Sequence, residues 1–339
     1  MRSLIVYFAS AAWWLASASA VAMGLMVEPA PARCGQSVTL APPVPAAAAK
    51  RLGGSQAVHG ERDIAWAWLG TPTNRYPHKA LGSITHAATL HVLVAAADTS
   101  SNATAALREL TYTLPLHKVF EDLTVRLVDI DGDGRDEMVV IESDALRGSS
   151  IVVLGLRPPA GKLGNKTGNK ADNTAGATQP VGMAITELAR STATGGTFYW
   201  LNPVGMADFD GDGKLDIASV TTPHVGGVLT LYHYRPPLIE AFAKAMDVSN
   251  HRMQDPEQDL AVIVELPGLR PTVIVPDMSL KALHALRWEA SGTVGESGKW
   301  KELADVKPLA ARVQRLTALP GGACAALADG SWLRVKLSQ

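Results

Sequence analysis

Short apolar runs separated by acidic, glycine-rich or proline-containing breaks make up most of this chain. MVVI at 138–141 and IASV at 217–220 are brief and rich in β-branched residues, the pattern of strands rather than helices. RLVD, PVGMAD and AVIVE each lead into a break. SSIVVLGL, GGVLTLYHY and KALHALRW each follow one, and each is expected as the outer strand of its unit. DIAWAWLG and THAATLHVLVAA form an upstream pair, and LTALPGGACAALADGSWLRVKL supplies the last strands. The pattern predicts an all-β protein. A different apolar run, LIVYFASAAWWLASASAVAMGLM, opens the chain behind Arg2.

Two of the breaks are copies of one another, VDIDGDGRDEMVV at 128–140 and ADFDGDGKLDIAS at 207–219. Acids alternate in each, Asp129, Asp131 and Asp133 in the first and Asp208, Asp210 and Asp212 in the second. A further acid, Glu137 or Asp216, stands at the ninth position, with Gly134 or Gly213 allowing the turn that returns it to the others. Carboxylates this close repel unless a cation lies among them. Hard oxygen ligands in a glycine-bent loop point to Ca²⁺. An EF-hand needs a bidentate Glu at position twelve and flanking helices, whereas position twelve is Val140 or Ser219 and a strand follows. A dockerin loop fails on the same count.

Asp-x-Asp-Gly-Asp-Gly-x-x-acid before an apolar strand resembles the FG-GAP or VCBS repeat of integrin-α-like β-propellers. The resemblance implies a loop between two strands of one blade, with Ca²⁺ held by side chains at positions one, three, five and nine and by the carbonyl at seven. The implied ligands are Asp129, Asp131, Asp133, Arg135 and Glu137 in one loop, and Asp208, Asp210, Asp212, Lys214 and Asp216 in the other, for two ions. Glu137 departs from the commoner Asp. The loops start 79 residues apart, but PPAGKLGNKTGNKADNTAGATQP at 158–180 reads as a disordered insertion of 23 residues, which leaves 56. A step of 57 from Asp208 reaches Glu265, where VIVELPGLRPTVIVPD has Pro267 and Leu269 in place of acids, so no metal is expected there. A chain of 339 residues has room for about five such units, stacked into one monomeric ring.

The leading apolar run has the design of a signal peptide, with small-x-small cleavage options ending at Ala20, Ala22 and Ala32; it also reaches the roughly 20 residues of a membrane anchor. The organisation expected is a leader or anchor over 1–32, an N-terminal extension over 33–60 and a propeller over 61–339, exported to the periplasm or outside the cell. There are two cysteines, Cys34 and Cys324. If the ring closes by joining its ends they become neighbours and can pair in an oxidising compartment; two free thiols is the other reading. Net charge is −1, which gives no basis for nucleic-acid binding, and no membrane contact is expected once the leader is removed.

Catalytic signals are sparse. No Gly-x-Ser-x-Gly elbow or phosphate loop is present, and nothing in the sequence places Glu142, Asp144, Asp277 and Glu289 together. FYWLNPVG, TPHVGG and SNHR surround the second acidic loop. Their Trp200, Asn202, His224, Asn250 and His251 either pack between blades and cap turns or form a polar, aromatic ligand face, to which Trp66, Trp68, Tyr76 and His78 can contribute. The function expected is a non-catalytic binding module for a carbohydrate, protein or surface polymer. The alternative is an extracellular hydrolase or lyase on the same scaffold.

Overall fold

The computed structural model of the chain describes residues 24–31, 34, 42–95, 107–158, 183–289, 291, 298–303 and 307–338. Most of the leader and nearly all of the 158–180 insertion lie outside them. The described residues form strands, one short 3-10 turn at Ala46–Lys50 and no α-helix.

The first strand, β1 (Gly24–Pro29), pairs with the last of the chain. Next come β2 (Ala57–His59), β3 (Ile64–Thr73), β4 (His86–Ala95) and β5 (Leu107–Thr113), an antiparallel run. β6 (Lys118–Phe120) and β7 (Arg126–Val128) both pair with β8 (Glu137–Asp144), which continues into β9 (Gly148–Arg157) and β10 (Ala184–Ser191). A third run comprises β11 (Leu201–Ala207), β12 (Asp216–Thr221), β13 (Val228–Arg235) and β14 (Leu238–Ala245). A fourth comprises β15 (Val262–Val264), β16 (Thr272–Pro276), β17 (Ala282–Glu289) and β18 (Lys299–Glu302), with β19 (Lys307–Pro308) also on β17. The last is β20 (Val313–Leu319), β21 (Gly322–Leu327) and β22 (Trp332–Ser338), completed by β1.

The first three runs join into one sheet of thirteen strands through narrow contacts: the single pair Ala87↔Phe120, and a parallel step of Arg190↔Leu238 and Ser191↔Ile239. The other two sheets have five and four strands, and none of the three closes. β8 is buried along its whole length, as expected of a strand covered on both faces by neighbouring runs. Apolar clusters fill the spaces between runs. Ile141, Trp200 and Ile239 belong to one; Phe209, Val273 and Trp288 to the next; Leu25, Leu260, Ile274 and Leu316 to a third.

Three expectations change. β9, β13 and β17 are third strands rather than outer ones, because β10, β14 and β18 lie beyond them. The boundary drawn at residue 61 falls inside the fold, since the 3-10 turn and β2 pack on β3. β1 lies within the span 1–32 read as a leader, yet it runs in register with β22 over its full length and buries Leu25 to 3% exposure.

Candidate functional site

Each acidic copy is the loop of an antiparallel hairpin, β7–β8 and β11–β12, and the two have the same internal wiring. The sixth residue donates its N–H to the first acid: Gly134 to Asp129 at 3.0 Å and Gly213 to Asp208 at 3.1 Å. Asp133 N–H reaches Asp131 at 3.2 Å, and Asp212 N–H reaches Asp210 at 3.0 Å. The N–H of the seventh residue donates to the acid at position five at 2.9 Å in both loops, Arg135 to Asp133 and Lys214 to Asp212. The ninth acid accepts the N–H of Ile130 at 3.3 Å or of Phe209 at 3.2 Å. Gly134 and Gly213 both have φ 85°, a left-handed conformation that glycine adopts without strain.

One oxygen is left over at the same position in both loops. Oδ1 of Asp129 and Oδ1 of Asp208 are buried without a hydrogen-bond partner. A buried, unpaired carboxylate oxygen is costly, and the same atom is orphaned at the same position twice. Ligand oxygens of Asp129, Asp131 and Glu137 lie within 4.8 Å of one another, as do those of Asp208, Asp210 and Asp212. This all-oxygen donor set fits a hard divalent cation.

The charge balance also asks for a cation. Burial pushes the Glu137 carboxyl up to about 7, with Asp131 adding to the shift. Burial likewise pushes Asp216 up to about 6, while the hydrogen bond from His233 opposes it. Basic side chains stand beside both loops. Arg157 lies 3.4 Å from Glu137 and 3.8 Å from Asp131 and Asp133, and His233 Nδ1 lies 3.0 Å from Asp216. Asp63, from the β2–β3 loop, accepts the Asp136 N–H at 2.7 Å and braces the Arg135 side chain at 3.1 Å.

Asp133 is not among the converging oxygens of the first loop, and the grouping of Asp216 is with Asp210 and His233. Arg157, His233 and Asp63 were not foreseen. His233 was reachable by counting cross-strand register, since it pairs with Asp216 about the 222–227 turn, whereas Asp63 comes from another run and has no local signal. The loop at 265–271 joins β15 to β16 in the corresponding place, and no acidic cluster is found there among the described residues. The two acidic loops face each other across a cleft of about 320 Å³ that contains Asp129, Asp131, Lys214 and Tyr234.

The expected ligand face is largely interior. Trp200, Asn202, Asn250 and His251 are buried, and only His224 is partly exposed. Their polar groups serve the packing between runs: Asn202 Nδ2 donates to the carbonyls of Asn250 and Gln258, and Asn250 Nδ2 donates to that of Asn202. An open cleft of about 460 Å³ lies just outside them, at the end of β12 opposite the acidic loop. His78, Phe198, Tyr199, Trp200 and His224 form much of its wall. Glu142 sits in another cleft with Asp144 and is matched by Lys118 at 2.6 Å and Arg190 at 2.7 Å. Asp277 and Glu289 lie at opposite ends of the β16–β17 hairpin, in a different sheet from Glu142 and Asp144.

Cys34 and Cys324 form a disulfide with Cα atoms 5.6 Å apart. Among the described residues no helix is long and apolar enough to cross a membrane. Compared with known families and with curated proteins, the chain matches none.

Proposed function

We propose that the chain is an exported β-propeller of the FG-GAP or VCBS type, with its five antiparallel runs as blades, two Ca²⁺ ions as structural staples and no catalytic role. The ring is completed by β1, which supplies the fourth strand of the last blade, and by the Cys34–Cys324 bond beside it. The observation that carries this reading is the recurrence of one loop, down to the same orphaned Asp Oδ1, at equivalent places in consecutive runs. Ca²⁺ would be held by Asp129, Asp131 and Glu137, and by Asp208, Asp210 and Asp212 with Asp216 beside them. It would add positive charge to what the neighbouring basic side chains supply and leave the loops rigid. The binding role falls to the aromatic cleft at the opposite end, whose size lies within the roughly 300–1,000 Å³ of small-ligand pockets.

Thermal melting tests the staple. At a calcium concentration 100-fold above the dissociation constant, each filled site should add about 2.7 kcal/mol. A melting temperature identical in excess chelator and in 10 mM calcium would overturn the reading. The second reading, a hydrolase or lyase, is favoured by one feature, the buried His78–Glu121 contact at 2.5 Å. It predicts turnover of a glycoside or ester probe that His78→Gln abolishes.

A further inference from the structure

Two imidazoles in the wall of the aromatic cleft, His78 and His224, have their tautomers fixed from behind. The Asp255 carbonyl can only accept, so His251 Nε2, 2.9 Å away, carries the hydrogen and His251 Nδ1 is an acceptor. His224 Nε2 lies 2.9 Å from that nitrogen and must donate to it, which leaves His224 Nδ1 with a free lone pair. On the other wall, the buried Glu121 carboxylate accepts Ser143 Oγ–H at 2.6 Å and His78 Nδ1–H at 2.5 Å. In the neutral ring, His78 Nε2 is then the bare acceptor. Neither free nitrogen has a protein partner among the described residues. Burial holds His224 down at about 4, so its lone pair persists at neutral pH.

Aromatic faces stand beside these lone pairs. Phe198 stacks on His78 with ring centres 5.1 Å apart, yet remains 43% exposed, and Tyr199 is 54% exposed. Phe198 has φ 64°, a left-handed conformation unfavourable for an aromatic residue, and its N–H donates to Tyr76 Oη at 3.0 Å. Strained backbone of this kind gathers at ligand sites. A ligand matched to these walls brings hydrogen-bond donors on a compact ring with an apolar face. An ionised carboxylate brings only acceptors and meets none of these needs.

We propose that the cleft binds a pyranoside sugar, with hydroxyls donating to His78 Nε2 and His224 Nδ1 and the C–H face of the ring lying against Phe198 and Tyr199. This inference rests on the binding-module reading and names its ligand class. Saturation-transfer NMR and calorimetry on the whole folded chain, with methyl glycosides of glucose, galactose, mannose and N-acetylglucosamine, test it; p-cresol and Zn²⁺ serve as controls. At least one glycoside should bind. His224→Phe should weaken binding about ten-fold, as loss of one buried hydrogen bond does, and Tyr199→Ala should weaken it several-fold at unchanged melting temperature. Should His224→Phe not fold, the exposed Tyr199→Ala carries the comparison.

Glycoside binding left intact by the substitutions would place the site elsewhere and overturn the inference. Stoichiometric Zn²⁺ binding that His224→Phe removes would overturn it in favour of a metal site. Binding of p-cresol with no glycoside would overturn the sugar assignment while the binding module stands. Binding of no probe at all would overturn both.

Discussion

Glu137 and Asp216 are the residues at which a bound cation would matter most. Both are almost completely buried, and both carboxyls are held above their ordinary range, to about 7 and about 6, chiefly by burial. A carboxyl raised in this way binds its proton more tightly in the folded state than in the unfolded chain. Its contribution to stability is therefore full below the unfolded value near 4.5 and is lost as pH rises through 7. Without metal the protein should gain stability between pH 8 and pH 5.5. With calcium, which needs the ionised form, that gain should shrink or reverse, so the calcium-induced rise in melting temperature should be larger at pH 8. Glu137→Gln should make the metal-free protein more stable at pH 8 and remove one calcium site. Melts at two pH values, with and without chelator, check both; an equal calcium effect at the two values counts against the buried acids as ligands.

At the scale of elements, the acidic loops were legible because their ligands lie within nine residues of one another, and the strands because β-branched runs sit between turn residues. Contacts that cross between runs were not legible. Asn202 and Asn250 read either as turn caps packed between units or as part of a ligand face; they are buried where two runs meet, and with Gln258 they donate to main-chain carbonyls and to Asp122. β1 was hidden for another reason: GLMVEP continues the apolar leader without a break, and only its partner β22, at the far end of the chain, identifies it as a strand. Its position has a consequence for export. Cleavage after Ala32 would remove β1, whereas cleavage after Ala20 or Ala22 keeps it. If the chain is exported as proposed, N-terminal sequencing should give Val21 or Met23, and Arg33 would contradict the strand. Leu25→Asp, which puts a charge into a core that includes Val335 and Leu337, should lower stability by several kcal/mol.

At the scale of the molecule, β1 near one end of the chain pairs with β22 near the other, and a disulfide ties the same region. The Cys34–Cys324 bond spans 290 residues, and closing a loop of that length stabilises on the order of 2–5 kcal/mol. Reduction should lower the melting temperature by that equivalent and leave calcium binding unchanged, because neither acidic loop touches the bond. Alkylation of both cysteines without prior reduction would exclude the clasp. The all-β class was readable from the sequence; the proposed ring of five blades draws its support from the pairing of β1 with β22 and from apolar clusters that bridge neighbouring runs. Everything in that account turns on the acidic loops being metal sites of one kind. Calorimetric titration of the chelator-stripped protein with calcium tests this most directly. The account predicts two ions per chain, one for Asp208→Asn, and two again for Pro267→Ala in the loop that lacks acids. A count of zero, or a count of two that survives Asp208→Asn, would contradict it.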